Sequence, residues 1–201
     1  APMFSFTRLR GADPTLGVEM ASTGEVACFG VDAHEAFLQA LLASTFKLPE
    51  KKRSILISIA SDKFRYEFAE GVCTLKKMGY KLYGTPGTAN YYKVNNDVDM
   101  ISVTKPVNDD DLGDGNTSSA LKEIRSANID MLINISEGTS HRDEITAGYI
   151  MRRAAVDFGV SLITNVKCAV FLTEALERGH DKFPVKHVGE FYKLPTIGWQ
   201  E

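Results

Sequence analysis

Cysteine is scarce in this chain and follows no pattern. Cys28, Cys73 and Cys168 are the three in 201 residues; they lie far apart, are odd in number and form no C-x-x-C pair. That spacing supports neither a disulfide framework nor a zinc site, and it fits a reducing compartment in which buried thiols act as small apolar fillers. Histidine is equally sparse. His34, His141, His180 and His187 fall on a predicted helix, a polar loop and the C-terminal tail, at no spacing suited to a metal or a catalytic triad. Long hydrophobic runs are missing too, since every apolar stretch breaks off before the roughly 18 residues a membrane span needs. The opening Ala1-Pro2-Met3-Phe4-Ser5 has neither a signal layout nor an initiator Met, as expected of a piece of a longer polypeptide. Nor is there an excess of positive charge. With 23 Lys+Arg against 26 Asp+Glu the formal net charge is −3, which argues against a nucleic-acid partner.

What is present is enough apolar residue, 44% of the chain, to bury one substantial core with length left for an appendage. Residues 1–30 are rich in Gly, Pro and small polar residues and show no sustained period. From Ala33 to Phe46 the positions Ala36, Phe37, Ala40, Leu41 and Ala43 follow helical spacing, with Asp32 placed to cap the start. Leu48-Pro49-Glu50-Lys51-Lys52-Arg53 then reads as a linker, which divides the chain into residues 1–50, 51–178 and a tail, 179–201.

Beyond the linker, short apolar runs alternate with helical patterns. Strands are predicted at Ile55–Ile59, Tyr80–Tyr83, Met100–Val103, Ile129–Asn134 and Ser161–Ile163. Helices are predicted from Asp62 to Met78, after the Gly84–Thr88 turn through Tyr92, over Leu121–Ala127, up to Phe158, and over Val166–Arg178. Polar loops fill Lys105–Ser119 and Ser136–Thr146. This alternation predicts an α/β fold of three layers, α/β/α, around a five-stranded parallel sheet.

In such sheets ligands collect beyond the carboxyl ends of the strands. Reading those ends gives Ser58 and Lys63 after the first strand, Thr85 and Thr88 after the second, and Lys105 after the third. Asn134 and Ser136 follow the fourth, and Thr164 and Asn165 the fifth. Gly84-Thr85-Pro86-Gly87-Thr88 is the strongest local signal. Its two hydroxyls stand where a strand enters a helix, and the free N–H groups of a helix start favour an anion. Lys63 and Lys105 supply positive charge for a phosphate. The competing reading is that the threonines merely cap the helix and the lysines are solvated.

Other features have bland alternatives as well. His141-Arg142-Asp143-Glu144 reads as a solvated charge cluster opening a helix. Ser22-Thr23-Gly24-Glu25 has the layout of a capping box. Arg152-Arg153, inside a helix, either turn one guanidinium toward a ligand or form a surface ion pair. A buried Asn134 side chain needs hydrogen-bond partners, which a ligand can supply. No residue is assigned a catalytic or metal-binding role.

Ala12-Asp13-Pro14-Thr15-Leu16-Gly17-Val18-Glu19-Met20-Ala21-Ser22-Thr23-Gly24-Glu25-Val26 closely resembles the segment that ends the second ATP-grasp half of carbamoyl-phosphate synthase large subunits. The helix Asp32 to Ala40 fits the same family. Residues from about Ser54 to Arg178 resemble its C-terminal allosteric domain, which has the methylglyoxal-synthase-like fold. The pieces that carry this likeness are Gly79-Tyr80-Lys81-Leu82-Tyr83, the G-T-x-G-T turn, Leu132-Ile133-Asn134 and Tyr149 to Asp157. Ala27-Cys28-Phe29-Gly30 and Gly148-Tyr149 are more similar to eukaryotic than to bacterial members.

The resemblance implies a regulatory domain that holds no cofactor itself and serves an ATP-dependent ligase of pyrimidine or arginine biosynthesis. ATP and magnesium would be held in domains upstream, and the partner of this piece is the remainder of the large subunit. Effector-binding positions of relatives fall on Ser58, Lys63, Thr85, Thr88, Lys105, Asn134 and Ser136. The implied effector is a nucleotide such as UMP, UTP or IMP, or phosphoribosyl pyrophosphate, with N-acetylglutamate as the alternative. Lys105 suits a phosphate, where animal members of the family place a Trp. A docking module without ligand and a methylglyoxal-synthase-type lyase are the remaining alternatives; the Asp109-Asp110-Asp111 run lacks the Gly-rich frame such a lyase needs. The implied setting is cytoplasmic, or else mitochondrial.

Overall fold

The computed structural model describes residues 2–3, 9, 11–15, 24–49, 53–106, 119–136, 146–179 and 187–191. In the N-terminal part Pro2–Met3 (β1) pairs antiparallel with Gly24–Glu25 (β2). The capping-box reading of Ser22 to Glu25 is therefore corrected: Glu25 lies in an exposed strand and starts no helix. The next helix, Ala33–Ala43 (α1), begins as predicted at Asp32, whose Oδ1 accepts from Glu35 N at 2.8 Å.

Ser54–Ile59 (β3) is buried along its whole length, as an apolar run flanked by parallel neighbours on both sides requires. The single helix predicted from Asp62 to Met78 is in fact two, Asp62–Glu67 (α2) and Ala69–Lys77 (α3), with a bend at the fully buried Phe68. Gly79 adopts φ +80° and ends α3. Lys81–Gly84 (β4) leads through Thr85 alone into Pro86–Asn96 (α4), so the predicted five-residue turn shrinks to one residue, with proline at the first helical position.

Ile101–Ser102 (β5), Ser119–Arg125 (α5), Met131–Ile135 (β6), Ala147–Asp157 (α6), Ser161–Ile163 (β7) and Val166–Glu177 (α7) complete the alternation, and Val188–Phe191 (α8) is a short helix beyond it. The sheet is five-stranded and parallel throughout, in the order β5-β4-β3-β6-β7. Successive residues of β3 feed opposite faces. Ile55, Ile57 and Ile59 meet Phe68, Val72, Tyr92, Leu172 and Leu38. Leu56 meets Leu121, Ile124, Ile150 and Met151 of α5 and α6 on the other face. Helices thus cover both faces, giving the expected three layers. α1 shares the first of these cores through Leu38, and Phe37 sets its ring edge-on to Phe171 of α7. No helix is long and apolar enough to cross a membrane among the described residues.

Candidate functional site

Ser58 and Asn134 are register partners on the adjacent parallel strands β3 and β6, so both side chains rise from the same face near the carboxyl edge of the sheet. From β3 the chain winds outward to β4 and β5, then returns to start β6 and β7 on the other side. The strand order therefore reverses between Ser58 and Asn134, the place where open α/β sheets open a crevice.

Thr85 joins this edge from β4. Its N–H extends the ladder to Ile57 O at 3.2 Å, and its extended backbone hands the chain to α4. The capping alternative does not hold: the Thr85 side chain makes no cap bond. Its hydroxyl turns inward, 3.3 Å from Ser58 Oγ and 3.2 Å from Thr88 Oγ1. Thr88 Oγ1 in turn accepts from Ile59 N at 3.1 Å and lies 3.3 Å from Ile59 O, to which it donates. Thr85 has one hydroxyl hydrogen for two neighbouring oxygens, so these bonds are readily re-aimed. The first i→i−4 bond of α4 runs from Ala89 N to Thr85 O at 2.8 Å. The amides of Gly87 and Thr88 precede it in the turn that carries the positive end of the helix dipole.

The lysines stand differently. Lys63 on α2 is exposed, with Nζ 5.9 Å from the centroid of the Phe64 ring, and Lys105 beyond β5 is exposed as well. Neither makes a hydrogen bond with the hydroxyl group cluster. Another cation at this corner is one that sequence reasoning missed. Arg65 donates from Nε and Nη2 to Ile59 O, at 3.1 and 2.8 Å, and from Nη2 to Ala60 O at 3.2 Å. It thereby shares the Ile59 carbonyl with Thr88, and a Cβ built on Gly87 would come within 3.4 Å of its Nη2. Only its helical placement after the first strand could have flagged it. Tyr92 donates to Arg65 O at 2.9 Å, and burial pushes its phenol well above the usual range.

Asn134 is buried and has a protein partner: Arg152 Nη1 donates to its Oδ1 at 2.8 Å. The surface-ion-pair reading of Arg152 and Arg153 is corrected, because both are buried on α6. Arg152 also grips Asp13, from Nε to Oδ1 at 2.7 Å and from Nη2 to Oδ2. Arg153 pairs with Asp157 and donates to Leu9 O at 3.0 Å, while Tyr149 donates from its hydroxyl to Gly11 O at 2.9 Å. Leu9 and residues 11–13 are thus laid along α6. Ser136, just past β6, is exposed. Of the fifth-strand positions Thr164 and Asn165, the second caps α7 by accepting from Lys167 N at 2.9 Å. The clusters at 109–111 and 141–144 lie outside the described residues.

The structure therefore brings Ser58, Thr85 and Thr88 into contact and sets Asn134 beside Ser58, but leaves Lys63, Lys105 and Ser136 on the exposed rim. A corner of hydroxyls, a side-chain amide and helix-start N–H groups is suited to holding an oxyanion. Among the described residues it offers no nucleophile–base pair, and no group of three metal-ligating side chains gathers there.

Comparison with known sequences adds a family. A profile described as the MGS-like domain matches residues 67–164. The chain is 42% identical over 191 residues to the multifunctional protein pyr1-3 of Dictyostelium discoideum, covering 93% of this chain and 8% of that protein. It is 45% identical to the multifunctional protein URA2 of Saccharomyces cerevisiae, over 88% of this chain and 8% of the relative. Identity is 43% to the mitochondrial carbamoyl-phosphate synthase [ammonia] of Aquarana catesbeiana, over 90% of this chain and 12% of the relative. The chain spans only that small share of these relatives' length. Residues 67–164 belong to the MGS-like domain family, and the chain as a whole is similar to a segment of eukaryotic carbamoyl-phosphate synthases and multifunctional proteins.

Proposed function

We propose that this chain is the allosteric end of a carbamoyl-phosphate synthase and that it binds a phosphorylated effector at the carboxyl edge of its sheet. The observation that carries this reading is the hydroxyl cluster of Ser58, Thr85 and Thr88, set at the start of α4 and flanked by Asn134. Neutral hydroxyl–hydroxyl bonds are weaker than charge-assisted ones, so an arriving phosphate oxygen captures the Thr85 and Ser58 hydrogens with a net gain. The amides of Gly87 and Thr88 add donors along the helix dipole. Arg65, Lys63 and Lys105 provide the positive field around the corner, and Ser136 forms part of the rim.

In this reading the ligase chemistry, ATP-dependent formation of carbamoyl phosphate from bicarbonate and ammonia or glutamine, belongs to regions of the parent enzyme outside this chain. Those regions would hold ATP and magnesium. Residues 1–50 are the end of the preceding ATP-grasp half and its connecting helix, residues 51–178 the effector domain, and 179–201 a tail. Control of a distant site requires the effector to bind two enzyme states unequally; a tenfold difference corresponds to about 1.4 kcal/mol.

The test is equilibrium dialysis with a thermal-shift series on UMP, UTP, IMP, phosphoribosyl pyrophosphate and N-acetylglutamate, because a ligand specific to the folded form raises its melting temperature. A phosphorylated compound should bind, and Thr85→Val should weaken it, since that hydroxyl bonds only to other hydroxyls of the cluster. Binding of N-acetylglutamate alone would replace the effector class. Turnover of dihydroxyacetone phosphate would replace regulation by catalysis, and no binding at all would leave a docking module.

A further inference from the structure

We infer that Arg152 is a positioning residue for the site proposed above: it orients the amide of Asn134 as a hydrogen-bond donor to the effector and ties that orientation to the seating of Asp13 on α6. The proposal rests on the effector reading and adds what one buried side chain does within it.

A guanidinium can only donate. Since Arg152 Nη1 lies 2.8 Å from Asn134, the oxygen of that amide must face the arginine, as it does. The Nδ2 end then points away from Arg152 and, among the described residues, has no protein partner, although Asn134 as a whole is 4% exposed. An amide held this way offers two N–H groups and no acceptor to whatever sits over Ser58. The ligand group met there is therefore an acceptor, such as a phosphate or carbonyl oxygen. Without Arg152 the amide could turn over and select a donor instead.

The same guanidinium has a second commitment. Its Nε and Nη2 form the fork that grips both carboxylate oxygens of Asp13, and bidentate pairing of this kind fixes direction as well as distance. Asn134 and Asp13 thus share one rigid plane, so that a ligand tightening the first favours the seated state of the second. Gly148 gives independent evidence that the arrangement is built in. A Cβ at that position would stand 3.0 Å from Arg152 Nη1 and 3.5 Å from Asn134 Oδ1, in the space the two side chains need in order to meet.

The experiment uses the 201-residue chain and three variants, Asp13→Asn, Gly148→Ala and Arg152→Lys. Two quantities are read from each: the side-chain amide resonances of Asn134 in the ligand-free protein, and the affinity for UMP and phosphoribosyl pyrophosphate, with melting temperature as the control for folding. Asp13→Asn, which touches no residue of the hydroxyl cluster, should shift the Asn134 amide signals and weaken binding about fivefold or more. Gly148→Ala should weaken binding and shift the Asn134 amide signals, because the added methyl presses on the Arg152–Asn134 contact. Arg152→Lys keeps the charge, loses the fork, and should behave like Asp13→Asn. A purely structural ion pair would lower stability while leaving both the Asn134 signals and the affinity where they were, and that result overturns the proposal. Shifted signals with unchanged affinity overturn it too. If neither ligand binds the unaltered chain, the effector reading itself falls and this proposal falls with it.

Discussion

Thr88 shows how one side chain serves structure before it serves a ligand. It is fully buried, accepts from Ile59 N and donates to Ile59 O, so it ties α4 to the end of β3. Thr88→Val keeps the shape and strands the Ile59 amide, which should cost about 1–3 kcal/mol in urea denaturation. Thr85→Val leaves no backbone group unpaired and should cost less. Titration of the buried Tyr92 and the half-buried Cys168 predicts behaviour in alkali. Burial raises both the Cys168 thiol and the Tyr92 phenol above their ordinary values. The folded chain then holds protons that the unfolded chain has released, so stability falls as pH rises. The decline should begin above about pH 8.5, the range of a free thiol, and steepen above about pH 10, that of a free phenol. Cys168→Ser should remove the first phase and Tyr92→Phe the second, as followed by melting temperature against pH.

Among the elements, the bend between α2 and α3 and the docking of α1 are the informative ones. At the bend Phe68 is fully buried, and a Cβ on Gly71 would stand 2.5 Å from its ring. Gly71→Ala gains up to about 1 kcal/mol of helix propensity but forces an enclosed ring to move, and overpacking of that sort costs about 1–3 kcal/mol. Net destabilisation by chemical denaturation is expected. Packing joins α1 to α7 closely: His34 stacks on Phe171 at 4.2 Å and bonds Glu174 at 3.0 Å, while Leu38 is fully buried. Leu38→Ala should therefore cost about 2–5 kcal/mol, and a chain that starts at residue 53 should melt well below one that starts at residue 24. The periodicity of Ala36, Phe37, Ala40 and Leu41 reveals α1 in the sequence. It carries no sign of which helix covers that face, because the partner residues lie in α7, far along the chain. The Phe68 bend is invisible for a related reason, since helical spacing continues across it and only the tertiary space over Gly71 sets it.

At the scale of the whole molecule, the alternation of short apolar runs with helical patterns made the parallel sheet readable, and the G-T-x-G-T turn marked its edge. Strand order was not readable, because it depends on which way each crossover leaves the sheet. The order observed puts Ser58 and Asn134 on either side of the reversal. The lysines follow from strand ends and from the family resemblance, yet side-chain reach from an exposed helix or loop follows no sequence rule; the half-buried Arg65 and the buried Arg152 are the cations hydrogen-bonded at the corner. The sheet also predicts a gradient of protection. β3 is wholly buried and paired on both sides, whereas both residues of β5 are exposed at the edge. Amide exchange followed by mass spectrometry should be slowest in β3 and β6 and fastest in β5.

Because Ser58 and Asn134 stand on hydrogen-bonded neighbours, the gap between their backbones is the strand spacing itself, about 4.8 Å. Changes in the surrounding loops can raise, lower or recharge the walls above that pair, but they cannot widen its floor. Any molecule accommodated there has to present something no broader than a single oxygen-bearing group to the bottom, and differences in selectivity between related proteins would then be written in the walls.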